Sequence, residues 1–394
     1  MSMFSRRTDW KLTPNRFTQA HQEALRESRE VLDLTVSNPT RAGFDYDESA
    51  ILDALRNPKS LDYDPQPKGL RSAREAVAEY YKYYKCGAGA PAREIDPEKI
   101  VLTTSTSEGY SYVFRLLCNP EDDVLVPKPS YPLFDFLADL QDVKLVPYPL
   151  IYDHGWQIDF PSLEQAVTEK TRAVVLVHPN NPTGSYVSAH EQANLNQLCR
   201  EHNFALIVDE VFLDYVHDGR PKPSFAAHDD ALTFTLSGLS KISALPQMKL
   251  AWIMVSGPET EATEAMHRLE VIADTYLSLN APVQLAAQIL VDQRQRVQQQ
   301  LMSRIRGNLA ELDRQLAHYT SCVRLLIEGG WYAVLRVPVT KSDEDRAVQL
   351  LFERSVLIHP GHFYDFPNDG YLVLSLITPE ATFREGISRV LQAF

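Results

Sequence analysis

The sequence predicts an α/β protein: a three-layer α/β/α large domain around a mostly parallel seven-stranded sheet, plus a smaller α+β domain. Three observations predict it. Seven short apolar runs rich in β-branched residues recur between residues 100 and 255, and longer amphipathic stretches separate several of them. Near residue 285 the pattern changes to a long breaker-poor helix and then short mixed elements. The expected boundaries are 1–45 for an N-terminal segment packing with the small domain, 46–285 for the large domain and 286–394 for the small one.

Taken in order, residues 16–31 read as helix and run into the alternating strand Val31–Val36, which ends at Ser37-Asn38-Pro39-Thr40. The seven runs are 100–103, 124–126, 144–146, 173–178, 205–208, 232–236 and 250–255, each too short for a helix. Helices are expected at Ser107–Cys118, Tyr131–Leu140 and Ala189–His202. Ala286–Ala317 carries apolar residues at helical spacing and reads as one helix or a kinked pair. Strands at Val323–Ile327, Trp331–Val337, Val356–Ile358 and Tyr371–Ile377, a helix at Glu344–Glu353 and a closing helix from Glu380 complete the small unit.

Asp and Glu outnumber Lys and Arg by 52 to 39 in 394 residues, a formal charge of −13. That balance repels phosphate backbones and anionic lipid, so no nucleic-acid or membrane partner is expected. No apolar run approaches the ~18–20 residues of a membrane helix. Arg6 and Arg7 have no apolar segment behind them, so no secretory signal is read and a cytoplasmic protein is expected. Cys86, Cys118, Cys199 and Cys322 form no C-x-x-C pair, which argues against a disulfide framework or zinc site. His359-Pro-Gly-His362 lacks ligand spacing and acidic partners, so no metal is expected.

Five places after predicted strands carry residues able to do chemistry. Lys241 in Leu236-Ser-Gly-Leu-Ser-Lys241 follows a buried strand, where desolvation favours the neutral amine that a Schiff-base nucleophile needs; a surface turn lysine is the ordinary alternative. Asn181 in His178-Pro-Asn-Asn-Pro-Thr-Gly184 either builds a turn or points its amide into a strand-end crevice. Asp209, ending Ile207-Val-Asp209, is a structural cap or the partner of a cationic ring nitrogen. Thr103-Thr-Ser-Thr-Ser-Glu108 matches a capping box at Ser105 and Glu108, and the same helix start offers N–H groups and hydroxyls to a phosphate. Tyr131 is a core ring or a stacking platform.

The ordered set of hydroxyl loop, Tyr131, Asn-Pro-Thr-Gly, Asp-Glu-Val and Ser-x-x-Ser-Lys resembles the fold-type I pyridoxal-phosphate (PLP) aminotransferases of class I/II. The likeness spans nearly the whole length and includes Tyr63-Asp-Pro-Gln-Pro-Lys-Gly69-Leu-Arg71. It implies that Lys241 binds the cofactor as a Schiff base and shuttles the Cα proton, with Asp209 on the ring nitrogen, Asn181 on the ring O3′ and Tyr131 on the ring face. Ser105, Thr106, Ser107 and Ser237 would surround the phosphate, and Tyr63 would reach the site of a neighbouring subunit in a homodimer. The implied reaction moves an amino group between an amino acid and a 2-oxo acid; a PLP-dependent lyase or decarboxylase on the same fold is the alternative.

Four positions depart from the family pattern. Phe212 stands where a tyrosine usually donates to O3′, which predicts a raised pH midpoint for the cofactor band. Lys249 replaces the phosphate-binding arginine with a point charge. Ser105 stands where glycine is usual. Val373 occupies the place of the arginine that pairs with the substrate carboxylate. Asn38, Arg41 and Arg336 are the expected substrate-binding residues, one of the two arginines taking over that role.

Overall fold

The computed structural model describes residues 3–82, 94–131 and 134–394. Cys86, Pro132 and Leu133 therefore lie outside the described residues. The strands are β1 Leu32–Asp33, β2 Ile100–Thr103, β3 Asp123–Lys128, β4 Lys144–Tyr152, β5 Trp156–Ile158, β6 Thr171–Val177, β7 Ala205–Asp209, β8 Thr233–Gly238 and β9 Ala251–Ser256. In the C-terminal part they are β10 Val323–Arg324, β11 Tyr332–Arg336, β12 Val356–Leu357, β13 His359–Pro360 and β14 Tyr371–Ser375.

All seven expected strands of the large domain form one sheet, in the order β2-β9-β8-β7-β6-β3-β4-β5. The eighth is β5, which turns back on β4 as an antiparallel edge; three residues between Gly155 and Asp159 are too few to read as a strand. β4, β3, β6, β7 and β8 are parallel neighbours and β9 runs against β8 and β2. Parallel central strands buried on both faces need apolar side chains on both, and β7 is buried at every position. One face is covered by helices Thr106–Leu117 and Glu259–Tyr276, the other by Ala189–His202. Helix Thr106–Leu117 sits close because residue 109 is glycine; a Cβ there would lie 2.5 Å from Leu236 Cδ2.

The small domain is a four-stranded antiparallel sheet, β10-β11-β14-β13. Leu34, Leu312, Leu350 and Phe383 share its core with Phe17 and Ala24 of the N-terminal helix Arg16–Arg26. β1 pairs in parallel with β12, Leu32 opposite Val356. The long helical stretch is a kinked pair, Ala287–Asp292 and Arg294–Leu316, meeting at Gln293.

A seam joins the two domains. The Gly184 carbonyl accepts from the amides of Glu328 and Gly329, at 3.1 and 2.9 Å, and the Tyr215 carbonyl accepts from Gly330 N–H at 2.9 Å. Gly184 adopts φ +70°, and a Cβ there would lie 2.5 Å from the Gly329 carbonyl oxygen. Both the backbone angle and the close approach therefore require glycine.

Candidate active site

The chain's direction of travel reverses between β3 and β6, and in open α/β sheets the crevice beyond the strand ends at such a point takes ligands. A cavity of about 320 Å³ opens there. Its lining includes Ser105, Thr106 and Ser107 after β2, Tyr131 after β3, Asn181 after β6, Asp209 and Phe212 at β7, and Lys241 and Lys249 after β8.

Lys241 projects into this cavity rather than into bulk water. Its Nζ lies 5.0 Å from the centre of the Trp331 ring and 5.6 Å from that of Phe212. Burial pushes its pKa down to about 8, against the opposing pull of Asp209. Its backbone is held by Tyr215, whose hydroxyl donates to the Lys241 carbonyl at 2.6 Å.

Asp209 ends β7 with its carboxyl buried. The Val211 N–H donates to Oδ1 at 3.1 Å and the Tyr110 hydroxyl to Oδ2 at 3.2 Å. Burial still pushes the acid up to about 6. A buried carboxyl so short of compensation is stabilised by any cation brought against it. Neighbouring Glu210 points the other way: it accepts from Ser224 Oγ and Phe225 N–H, both at 2.6 Å, and is pushed up to about 8 by burial.

Asn181 Oδ1 is buried with no hydrogen-bond partner among the described residues, so its side-chain amide has unused capacity beside the cavity. Ser105 caps helix Thr106–Leu117, its hydroxyl accepting from Glu108 N–H at 3.1 Å. The Glu108 carboxylate reaches back to Thr104 N–H, one residue before the position a capping box uses. The first-turn N–H groups of Thr106 and Ser107 stay directed at the cavity end of the helix. Lys249, exposed and in a left-handed turn at φ +52°, is the cation at that end.

Other expected site residues stand elsewhere. The Ser237 hydroxyl faces the Glu210 carbonyl at 3.4 Å, and Ser240 lines the cavity instead. The Asn38 side chain accepts from Thr40 N–H and Oγ1, closing its own turn, while Ser37 lines the cavity. Arg41 and Arg336 are exposed and outside the lining. Val373 is fully buried in the small-domain core. Tyr63, 85% exposed, lines a different cavity of about 380 Å³. Tyr110, Trp331, Tyr332 and Tyr215 went unread in the sequence, because a large ring inside a strand or helix looks like core.

A buried acid, a lysine with a depressed pKa, an amide with an open valence and a helix N-terminus beside a lysine suit a phosphorylated, cationic aromatic aldehyde. The family model for aminotransferases of class I and II matches residues 29–390. The glutamate–pyruvate aminotransferase AlaA of Haemophilus influenzae is 30% identical over 90% of this chain and 89% of its own length. An alanine aminotransferase of Mycobacterium tuberculosis is 29% identical over 90% and 84%. Among solved structures, an Escherichia coli aminotransferase superposes with a TM-score of 0.85 at 24% identity, covering 100% of this chain and 98% of that one. Alanine aminotransferase from Pyrococcus furiosus gives 0.84 at 21% identity over 95% of each chain.

Proposed function

The chain belongs to the class I and II aminotransferases, and on that premise we propose that it moves an amino group between an α-amino acid and a 2-oxo acid in two half-reactions. The family's cofactor is pyridoxal 5′-phosphate, which when bound supplies an electron sink for the carbon that gives up its proton. Lys241 would hold the cofactor, and its depressed pKa keeps the amine available to bind an aldehyde and to carry a proton. Asp209 would pair with the ring nitrogen, its carboxyl fixed in place by the Tyr110 and Val211 donors. The Asn181 amide serves the ring oxygen and Tyr131 the ring face. Ser105, Thr106, Ser107, Ser240 and Lys249 take the phosphate, with Ser237 behind them. Phe212 and Trp331 exclude water around Lys241 Nζ.

The observation that carries this reading is the placement of Lys241, Asp209 and Asn181 on one cavity. Names of the relatives point to alanine and glutamate as the first donors to try. We further propose a cytoplasmic homodimer in which Tyr63 reaches the partner's phosphate, supported by its exposure on the rim of a second cavity. Among the described residues no helix is long and apolar enough to cross a membrane.

The test is to load the protein with PLP and add a panel of amino acids. L-Alanine or L-glutamate should bleach the visible band, and pyruvate or 2-oxoglutarate should restore it. A protein that takes up no PLP, or that releases ammonia or carbon dioxide without an acceptor, overturns the proposal.

A further inference from the structure

The cavity contains two cations among its described lining residues, Lys241 and Lys249. The proposed function commits the first to the cofactor aldehyde and the second to its phosphate. A substrate carboxylate therefore finds no positive charge left in the lining, and burying it unpaired is costly. Among the described residues the small domain adds none to the lining: Val373 is buried opposite Val334 of β11 and His359 of β13, all three on one face of the sheet. Burial holds His359 at a pKa of about 4, so it stays neutral, and its Nδ1 is engaged by the Tyr364 hydroxyl at 3.2 Å.

That same face presents Tyr332, two residues along β11 from Val334 and lining the cavity. The Tyr332 ring is buried, 9% exposed, and among the described residues no hydrogen bond ties its hydroxyl, which opens on the cavity. Tyr131, also on the lining, has an unpartnered hydroxyl as well and lies close enough for the two phenols to interact electrostatically. Two phenol hydroxyls that open on one cavity without a protein acceptor are free to donate to a ligand's oxygen. Burial raises both phenols, Tyr131 to about 12, so both remain protonated donors at neutral pH.

We infer that Tyr332, supported by Tyr131, is the specificity residue whose hydroxyl donates to the carbonyl oxygen on the carbon adjoining the amine-bearing carbon of the substrate, a neutral hydrogen bond in place of a guanidinium. This rests on the aminotransferase reading. The substrate class widens accordingly: the site selects a hydrogen-bond acceptor at that position, not a negative charge, and admits α-amino amides beside α-amino acids.

The experiment uses the PLP-loaded protein, L-alanine and L-alaninamide, with wild type and Tyr332→Phe. For the wild type, kcat/KM for the two donors should agree within about tenfold, where an ion pair would separate them by far more. Tyr332→Phe should raise KM for both by roughly 2- to 12-fold, the value of one neutral hydrogen bond, and leave PLP occupancy and the pH midpoint of the visible band unmoved. A purely structural role would shift the band or the occupancy instead. A thousandfold preference for alanine over its amide, or unchanged KM in Tyr332→Phe, overturns the inference while leaving the aminotransferase standing. Failure of every donor to bleach the band removes both.

Discussion

The Tyr215 hydroxyl and the Lys241 carbonyl are joined by a 2.6 Å hydrogen bond, made from a fully buried ring that packs edge-on against Trp331 at 5.1 Å. The lysine is thus anchored through its backbone by the segment that follows Asp209, so the two ends of the catalytic cavity are tied through one side chain. The carbonyl keeps a second, longer partner in Ala244 N–H at 3.2 Å. Tyr215→Phe should therefore fold and bind PLP, with stability lowered by about 0.5–1.5 kcal/mol in urea unfolding. A loss above about 3 kcal/mol would show that the ring itself had shifted.

The acids around the site set a pH signature for the cofactor-free protein. Asp209 is raised to about 6 in the fold against about 3.9 unfolded, so the folded state binds the extra proton between those values. Stability contributed by this group is present below about pH 4 and is lost as pH rises through 6. Asp209→Asn should flatten the fall in melting temperature between pH 4 and 6. Equal slopes in wild type and variant would refute the assignment.

Lys241 has the opposite dependence. With its folded pKa near 8, the neutral amine becomes available about two pH units earlier than on an exposed lysine. The rate at which cofactor-free protein captures PLP should climb through pH 8 and level off before pH 10. A rise that continues to pH 10.5 would mean an amine in contact with water.

Phe212, 5.2 Å from Trp331, offers no donor beside Asn181, the amide proposed for the cofactor's ring oxygen. Phe212→Tyr should add one and lower the pH midpoint of the visible band of the loaded protein. An unchanged or raised midpoint in a spectrophotometric titration counts against this geometry.

Arg41 and Arg336 lie exposed and off the cavity lining, so Arg41→Ala and Arg336→Ala should each keep the amino-acid KM within about twofold. Arg336 shares its strand face with Tyr332 but stands four residues, roughly 13 Å, further along. A tenfold rise in KM for either variant would return the carboxylate to an arginine.

Strand ends made the centre of the site legible: Lys241, Asp209 and Asn181 each follow an apolar run whose direction can be read from its neighbours. Side chains whose role depends on which way a ring points were not legible. Tyr110 lies on a helix with mixed periodicity, and only the packing of that helix across the sheet brings its hydroxyl to Asp209. Ser237 and Ser240 differ by less than one helical turn, and the turn begun at Leu239 decides which of them faces the cavity. The kink at Gln293 occurs without Pro or Gly, so nothing local announces it. β5 was invisible because it exists only as a partner for the end of β4.

The backbone fasteners at Gly184 and Gly330 lie three residues after Asn181 and one before Trp331. Moving one lobe away from the other at this edge would break several amide links at once. Asn181, three residues from Gly184, is thereby fixed to the tied side of the cavity.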